Sequence, residues 1–305
     1  MTQDLHVRRP GKALAIIAAL FAVALWASSF AVMKKLLALG LPPLTILWLR
    51  MAIAAVLLLP LAVRFWPQAR PRKGDGWWLL LLAVCEPGLY FLLEITALQY
   101  TSSAQAGLIV AVFPLLAALG GALFFKERLT RRIMAGLALA IGGAAAMSLL
   151  GAADEHAPNP WLGNALEFLA ISAAAGYMLL VKRLSGRWPV WLITAAQMTL
   201  GALFFLPGLP ALWRPQVQAL LSDPQVWGLV LYLGAAITVL AYGFYNFSIS
   251  RLSAAEAGVF VNLIPVLAAL IGWAWLGERL TGAQALAAGL ILAGVVLAET
   301  RREKA

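Results

Sequence analysis

Glu86, Tyr90 and Glu94 recur at i, i+4 and i+8 inside the apolar run 77–99. That spacing puts all three on one stripe of a helix. A carboxyl group in hydrocarbon is costly, so such a stripe must face a bundle interior or a wet cavity. Two readings are open. Either a glutamate carries a proton or meets a substrate amine on a polar cavity wall, or a neighbouring arginine neutralises it purely for packing. Arg50, in the run 43–63, is the natural partner. Counted from the ends of their runs, Arg50 and Glu94 differ in depth by only ~3 Å at the helical rise per residue. Arg50 could form an ion pair with Glu94 or bind a substrate carboxylate. Pro87 adjoins the stripe and cannot donate to the carbonyl of Ala83, so a kink is expected there.

A second stripe, Thr238, Tyr242, Tyr245 and Asn246, lies on one helical face of the run 225–247. Trp26, Ser29 and Phe30 add to it from the run 13–33, and Tyr177 from 161–182. Phe113 precedes Pro114 directly, and Asn262 stands just before Pro265. A cavity walled by these residues would suit an amphipathic or aromatic solute. Each aromatic taken alone also has the plainer reading of packing or interfacial residue, because Trp and Tyr favour membrane boundaries. Trp77 and Trp78 read as such belt residues. Glu167 is a lesser site candidate, and Glu256 sits near a membrane edge, where it would be solvated.

The elements that must carry these side chains follow from composition. Of 305 residues, 63% are hydrophobic and 12% charged, about half the charged share of soluble domains. Ten apolar segments can be marked: 13–33, 43–63, 77–99, 102–124, 132–150, 161–182, 189–211, 225–247, 254–276 and 281–299. They predict an all-α integral membrane protein with ten transmembrane helices. The connections are too short to hold a soluble domain. The first segment follows basic residues, as a signal peptide would. It is long, however, and leads into Lys34-Lys35 rather than a cleavage site, so a retained helix is expected.

The chain repeats itself. Residues 104–130 and 255–281 are identical at fourteen of 27 positions, including Pro114 with Pro265 and the exits Glu127–Thr130 and Glu278–Thr281. Weaker matches pair Pro42 with Pro189, Ile46 with Ile193, Met51 with Met198 and Pro60 with Pro207. Two five-helix repeats, 1–153 and 154–305, are expected. Five is odd, so the second repeat must be inverted in the membrane, a recurrent design of secondary transporters. With both termini cytoplasmic, 18 of the 23 Lys and Arg fall on the cytoplasmic side and four outside, with Arg50 within the membrane. The net charge of +10 is thus explained by orientation, with no nucleic-acid partner. Pro87, Pro114 and Pro265 are the expected hinges.

Trp26-Ala-Ser-Ser-Phe30, Arg50, Ala97-Leu-Gln-Tyr-Thr101 and the two prolines with their Glu-Arg-Leu-Thr exits resemble the drug/metabolite transporter superfamily, and within it the two-domain EamA-type exporters. Members of that superfamily move amino acids, drugs, nucleotide sugars and other metabolites. Glu94 and the Tyr177 neighbourhood are most similar to the bacterial aromatic amino-acid exporters. The resemblance implies a multi-pass protein of the bacterial inner membrane. It would export small metabolites, most of all aromatic or other hydrophobic amino acids, by alternating access. Drug or other metabolite efflux is the alternative. Export rather than import comes from the resemblance alone.

Other classes find less support. The two histidines, His6 and His156, lie outside the apolar segments, Cys85 is the one cysteine, and no acid pair has metal-ligand spacing. No metal, cofactor or catalytic residue is therefore expected, and a membrane enzyme is disfavoured. There is no Gly-rich phosphate loop for an ATP-driven pump. A channel would want a ring of matched polar residues or an assembled pore. The partners expected are a small-molecule substrate and the lipid bilayer. Small residues such as Gly136, Gly142, Gly143, Gly289 and Gly294 read as scaffold contacts in segments five and ten. A monomer is expected, with a dimer as the alternative.

Overall fold

A computed structural model describes residues 12–125, 129–150, 153–185, 187–249 and 260–299. Glu127, Arg128, Arg251, Glu256 and the charged residues at both ends lie outside the described residues, as does the side chain of Asn246. Among the described residues the chain is all-helical. Seven helical stretches are long and apolar enough to cross a membrane. An eighth follows if Val190–Phe204 and Leu206–Trp213, bent by 56°, form one span. Ile264–Leu276 and Gly282–Ala298 are apolar but shorter. Against ten expected crossings, the described residues show seven full-length spans, an eighth if the bent pair is one, and two shorter helices, with the start of segment nine outside them.

Helix starts follow local chemistry. Pro43 and Pro160 begin their helices where no backbone donor is needed. Asn159, Ser102 and Asp223 accept hydrogen bonds from Leu162 N, Gln105 N and Gln225 N at 3.2, 3.1 and 2.8 Å.

Three of the breaks sit at the expected prolines. Segment three is Asp75–Ala83, a wide turn Val84–Leu89, then Tyr90–Ala97. Glu86, before Pro87, has the extended dihedrals φ −148°, ψ 119°, as the residue before a proline prefers. Segment four runs Ser103–Ile109, tightens at Val110–Val112 and resumes at Phe113–Phe125. Segment nine turns at Asn262–Leu263 and restarts at Ile264 with Pro265 in its first turn. Other breaks were not expected, among them a wide turn at Gly272–Leu276 that ends segment nine. Segment eight widens at Tyr232–Leu240 without any proline. There the Thr238 hydroxyl donates to the Leu233 carbonyl at 2.8 Å, back along its own helix. Segment seven bends near Pro207, yet segment two runs unbroken through the matching Pro60.

Five helix pairings dominate the bundle. Segment two packs on seven, four on nine, five on ten, one on eight, and three on six. Every pairing joins one helix of residues 1–153 to one of 154–305. Segments five and ten meet at glycines. A Cβ on Gly136 would stand 2.4 Å from Gly294 O, and one on Gly294 would stand 2.6 Å from Gly136 O. Gly136, Gly143 and Gly294 thus serve the contact of one segment with the other, whereas a Cβ on Gly142 or Gly289 would meet nothing within 4 Å, so these two expected scaffold glycines do not take part.

Candidate functional site

The broken segments three and eight bring the two polar stripes together. Tyr242 O–H donates to Glu86 Oε1 at 3.2 Å. Tyr90 O–H donates to Glu94 Oε1 at 2.6 Å, one helical turn along the same stripe. Trp26 lies edge-on to Tyr242, with centroids 5.4 Å apart, and tilted against Tyr245 at 5.1 Å. Tyr177, from segment six, is an immediate neighbour of Tyr242 and Gln197. Trp26, Glu86, Tyr177, Tyr242 and Tyr245 therefore form one contact group, and Tyr90 with Glu94 forms a second pair within electrostatic range of Glu86. Phe113 and Asn262 stand half-buried at the two proline breaks of segments four and nine.

The acids of these groups are deeply enclosed. Glu86 is 7% exposed and Glu94 is 1% exposed. Glu94 Oε2 has no hydrogen-bond partner. The expected Arg50–Glu94 ion pair is not formed. Arg50 Nε donates to Thr238 Oγ1 at 3.0 Å, and its guanidinium lies 4.1 Å from the centroid of Phe91. Tyr90 takes one oxygen of Glu94, and the guanidinium lies over the ring face of Phe91 instead. Arg50 and Glu94 stay within electrostatic range.

Several buried polar groups were not legible as partners in the sequence. Glu167 is fully buried, and neither of its carboxyl oxygens has a hydrogen-bond partner. Gln197 is also buried, beside Tyr177 and Glu86. Glu278, part of a repeated exit motif, accepts from Ser103 N at 2.8 Å, Ser103 Oγ at 2.8 Å and Ala104 N at 2.9 Å. It thereby caps the first turn of segment four from the opposite repeat. A Cβ on Gly272 would stand 2.4 Å from Glu278 Oε2, so this approach needs a glycine. Lys34 Nζ donates to the carbonyls of Leu98, Thr101 and His156, tying the end of segment three to the connection between repeats. Asp75 accepts from Arg187 and, at 2.9 Å, from Trp188 Nε1. That contact holds the Arg187 guanidinium's pKa above its ordinary value. The signal for Glu278 was present in the repeated motif, but its partners lie 174 and 175 residues away.

An apolar groove between segments four and nine, lined by Leu108, Val266, Leu270, Trp273 and Leu280, is a separate feature. Its one acid is Glu278, already committed to the cap. Among the described residues no cluster of three or more His, Cys, Asp or Glu could hold a metal.

The sequence model of the EamA-like transporter family matches residues 13–149 and again 161–300. The chain belongs to the EamA-like transporter family. It is a multi-pass membrane transporter rather than an enzyme. Over 295 residues it is 28% identical to a probable terminal-alkyne amino-acid exporter of Streptantibioticus cattleyicolor, covering 94% of each chain. It is 26% identical over 282 residues to the uncharacterized transporter YetK of Bacillus subtilis, covering 90% of this chain and 84% of that one. An uncharacterized transporter of Archaeoglobus fulgidus is 28% identical over 281 residues, covering 92% and 96%. A crystal structure of a protein with 21% identity superposes with a TM-score of 0.64 over 96% of this EamA-like chain and 98% of its own. That likeness supports the fold alone.

Proposed function

We propose that this EamA-like chain exports amino acids with aromatic or other hydrophobic side chains by alternating access. The observation that carries this reading is the acid–aromatic group where segments three and eight meet, with Tyr242 on Glu86 and Trp26 against Tyr242 and Tyr245. Apolar ring faces would select the solute's side chain. Glu86 or Glu94 would hold its ammonium, and Arg50 is the nearby cation for its carboxylate. The amino-acid exporter among the relatives supports the solute class.

The repeats would be 1–153 and 154–305, inverted with respect to each other. The pairings support this: exchanging the halves maps two–seven, four–nine and five–ten onto themselves and swaps one–eight with three–six. Pro87, Pro114 and Pro265 would act as hinges, since each sits where its helix already departs from regular geometry. The 18-to-4 charge split supports a bacterial inner-membrane protein with both termini cytoplasmic.

The reading is tested by counterflow in proteoliposomes with a panel of amino acids. Saturable exchange of phenylalanine, tyrosine or tryptophan is expected, and Glu94→Gln should abolish it or remove its pH dependence. Loss of exchange at every pH would assign Glu94 to binding; lost pH dependence would assign it to proton coupling. Unchanged exchange in Glu94→Gln and Tyr90→Ala together would remove the segment-three stripe from the site. A cysteine at Asn159 should be labelled from outside intact cells; labelling only after permeabilisation would overturn the orientation.

A further inference from the structure

One end of the bundle carries positive charge that the fold does not consume. The connection between segments two and three, residues 64–76, holds Arg64, Arg70, Arg72 and Lys73 against a single acid, Asp75. The connection between segments six and seven adds Arg183 and Arg187 and no acid. Asp75 is buried and fully committed. It accepts from Arg187, from Trp188 Nε1 at 2.9 Å and from Arg72 N at 2.9 Å. Arg64, Arg70, Arg72, Lys73 and Arg183 stay exposed, and none of the five has an ion-pair partner among the described residues. The two connections are fastened to each other. Arg70 N donates to Arg187 O at 2.9 Å, Trp66 lies edge-on to Trp188 with centroids 6.3 Å apart, and the Arg183 guanidinium stands 4.1 Å from the centroid of Trp78. Cations from both halves of the chain are thus gathered on one face.

Beside the cations, toward the bilayer, the surface turns apolar. Leu59 and Val63, at i and i+4 on the last turns of segment two, are exposed, and Trp66 and Trp77 are exposed at the level of the charges. A cationic rim over an apolar wall, with tryptophans at the boundary, complements a molecule with an anionic head and acyl chains. A free phosphate would gain nothing from the wall. The corresponding connection between segments seven and eight, residues 212–224, shows what is particular here. It too has an exposed tryptophan, Trp213, but it holds one cation, Arg214, and one acid, Asp223. Interfacial tryptophan thus occurs at both places, and unpaired positive charge at one. Orientation in the membrane accounts for the sign of that charge. It requires only cations near segment ends, not a connection docked on its neighbour with its one acid enclosed.

We propose that this face binds the headgroup of an anionic phospholipid, with the acyl chains laid along Leu59 and Val63. Arg70, Arg72 and Lys73 would meet the lipid phosphate, the arginines through paired N–H donors. A headgroup seated there spans the two connections and so bridges the two halves of the chain. On the orientation proposed above, the lipid belongs to the cytoplasmic leaflet. The binding itself depends neither on that orientation nor on the transported solute, so it stands or falls separately from both.

Native mass spectrometry of the full chain in detergent, with phosphatidylglycerol and phosphatidylcholine supplied at equal concentration, tests the proposal. Wild type should retain phosphatidylglycerol in preference, and added salt should weaken that preference. Arg70→Gln with Arg72→Gln should lower phosphatidylglycerol retention about thirtyfold, at roughly fivefold per cation removed from a lipid surface. Both side chains are exposed, so this variant should elute as wild type. If it does not, Arg64→Gln with Lys73→Gln replaces it and should show the same loss. Arg131→Gln with Arg132→Gln removes two exposed cations from the start of segment five and should leave the preference at the wild-type level. Equal losses in the two arginine-pair variants would overturn the proposal, because general charge attraction would then suffice. Equal retention of both lipids by wild type would overturn it too. So would displacement of phosphatidylglycerol by glycerol 1-phosphate at matched concentration, which would make this a site for free phosphate esters. Added phosphatidylglycerol should also raise the Tm of wild type and not that of Arg70→Gln with Arg72→Gln. A rise of the same size in both would place the lipid elsewhere and overturn the assignment.

Discussion

Two sets of buried acids in this molecule are treated in opposite ways. Glu278 and Asp75, at segment ends, have their oxygens filled by named donors: two backbone amides and a hydroxyl for Glu278, and a guanidinium, an indole and the Arg72 amide for Asp75. Glu94 and Glu167, within segments three and six, leave three oxygens without partners. Glu86 lies between these extremes, with one tyrosine hydroxyl at 3.2 Å. Burial is the same in both sets, so burial does not distinguish them. What differs is whether the fold supplies the donors. A saturated carboxylate rigidifies a junction, because removing it orphans its donors. An unsaturated one leaves capacity for a ligand or a proton, at a cost in stability that the fold tolerates.

The largest expected effect is on the saturated set. Glu278→Ala would orphan Ser103 N, Ala104 N and the Ser103 hydroxyl, a loss of about 3 kcal/mol from charge-assisted hydrogen bonds. Thermal unfolding in detergent should show a large drop in Tm. A Glu94→Gln protein that lost as much would break the comparison, because Glu94 would then be structural too. Next in size, Tyr90→Ala should lower transport about a hundredfold through misplaced contacts while leaving elution and Tm near wild type. A loss of expression instead would move Tyr90 to the packing side. The smallest effect expected is that of Tyr242→Phe, which removes one hydrogen bond to Glu86 and keeps the ring against Trp26. Exchange should fall about fivefold, as for about 1 kcal/mol of lost hydrogen bond. Tyr242→Ala should cost more, and equality of the two variants would show that the hydroxyl, not the ring, carries the contribution.

The i, i+4, i+8 stripe of segment three was legible because helical periodicity is local, and the Tyr90–Glu94 bond spans a single turn. The proline breaks in segments three, four and nine were legible for the same reason: a missing backbone donor acts on its own helix. The break in segment eight was not, since threonine has many conformations open to it and only the folded helix turns Thr238 onto Leu233 O. The contacts of Arg50 were not legible because depth fixes only one coordinate. Equal depth permits a pair with Glu94, but rotation of segment two brings Phe91 and Thr238 to the guanidinium instead.

By itself, then, the sequence determined the solvent, the helices, the duplication and the stripes that carry acids and aromatics. Each of these depends on residues near one another in the chain or on composition summed along it. The tertiary structure alone decided which acids are satisfied. Glu278 meets Ser103 across 175 residues, whereas Glu167 meets no donor. The repeated exit motif marked Glu278, but the neighbours of neither glutamate along the chain name the groups it meets. Hydrogen bonds form between groups close in space, and in this bundle every dominant pairing joins helices from different halves of the chain.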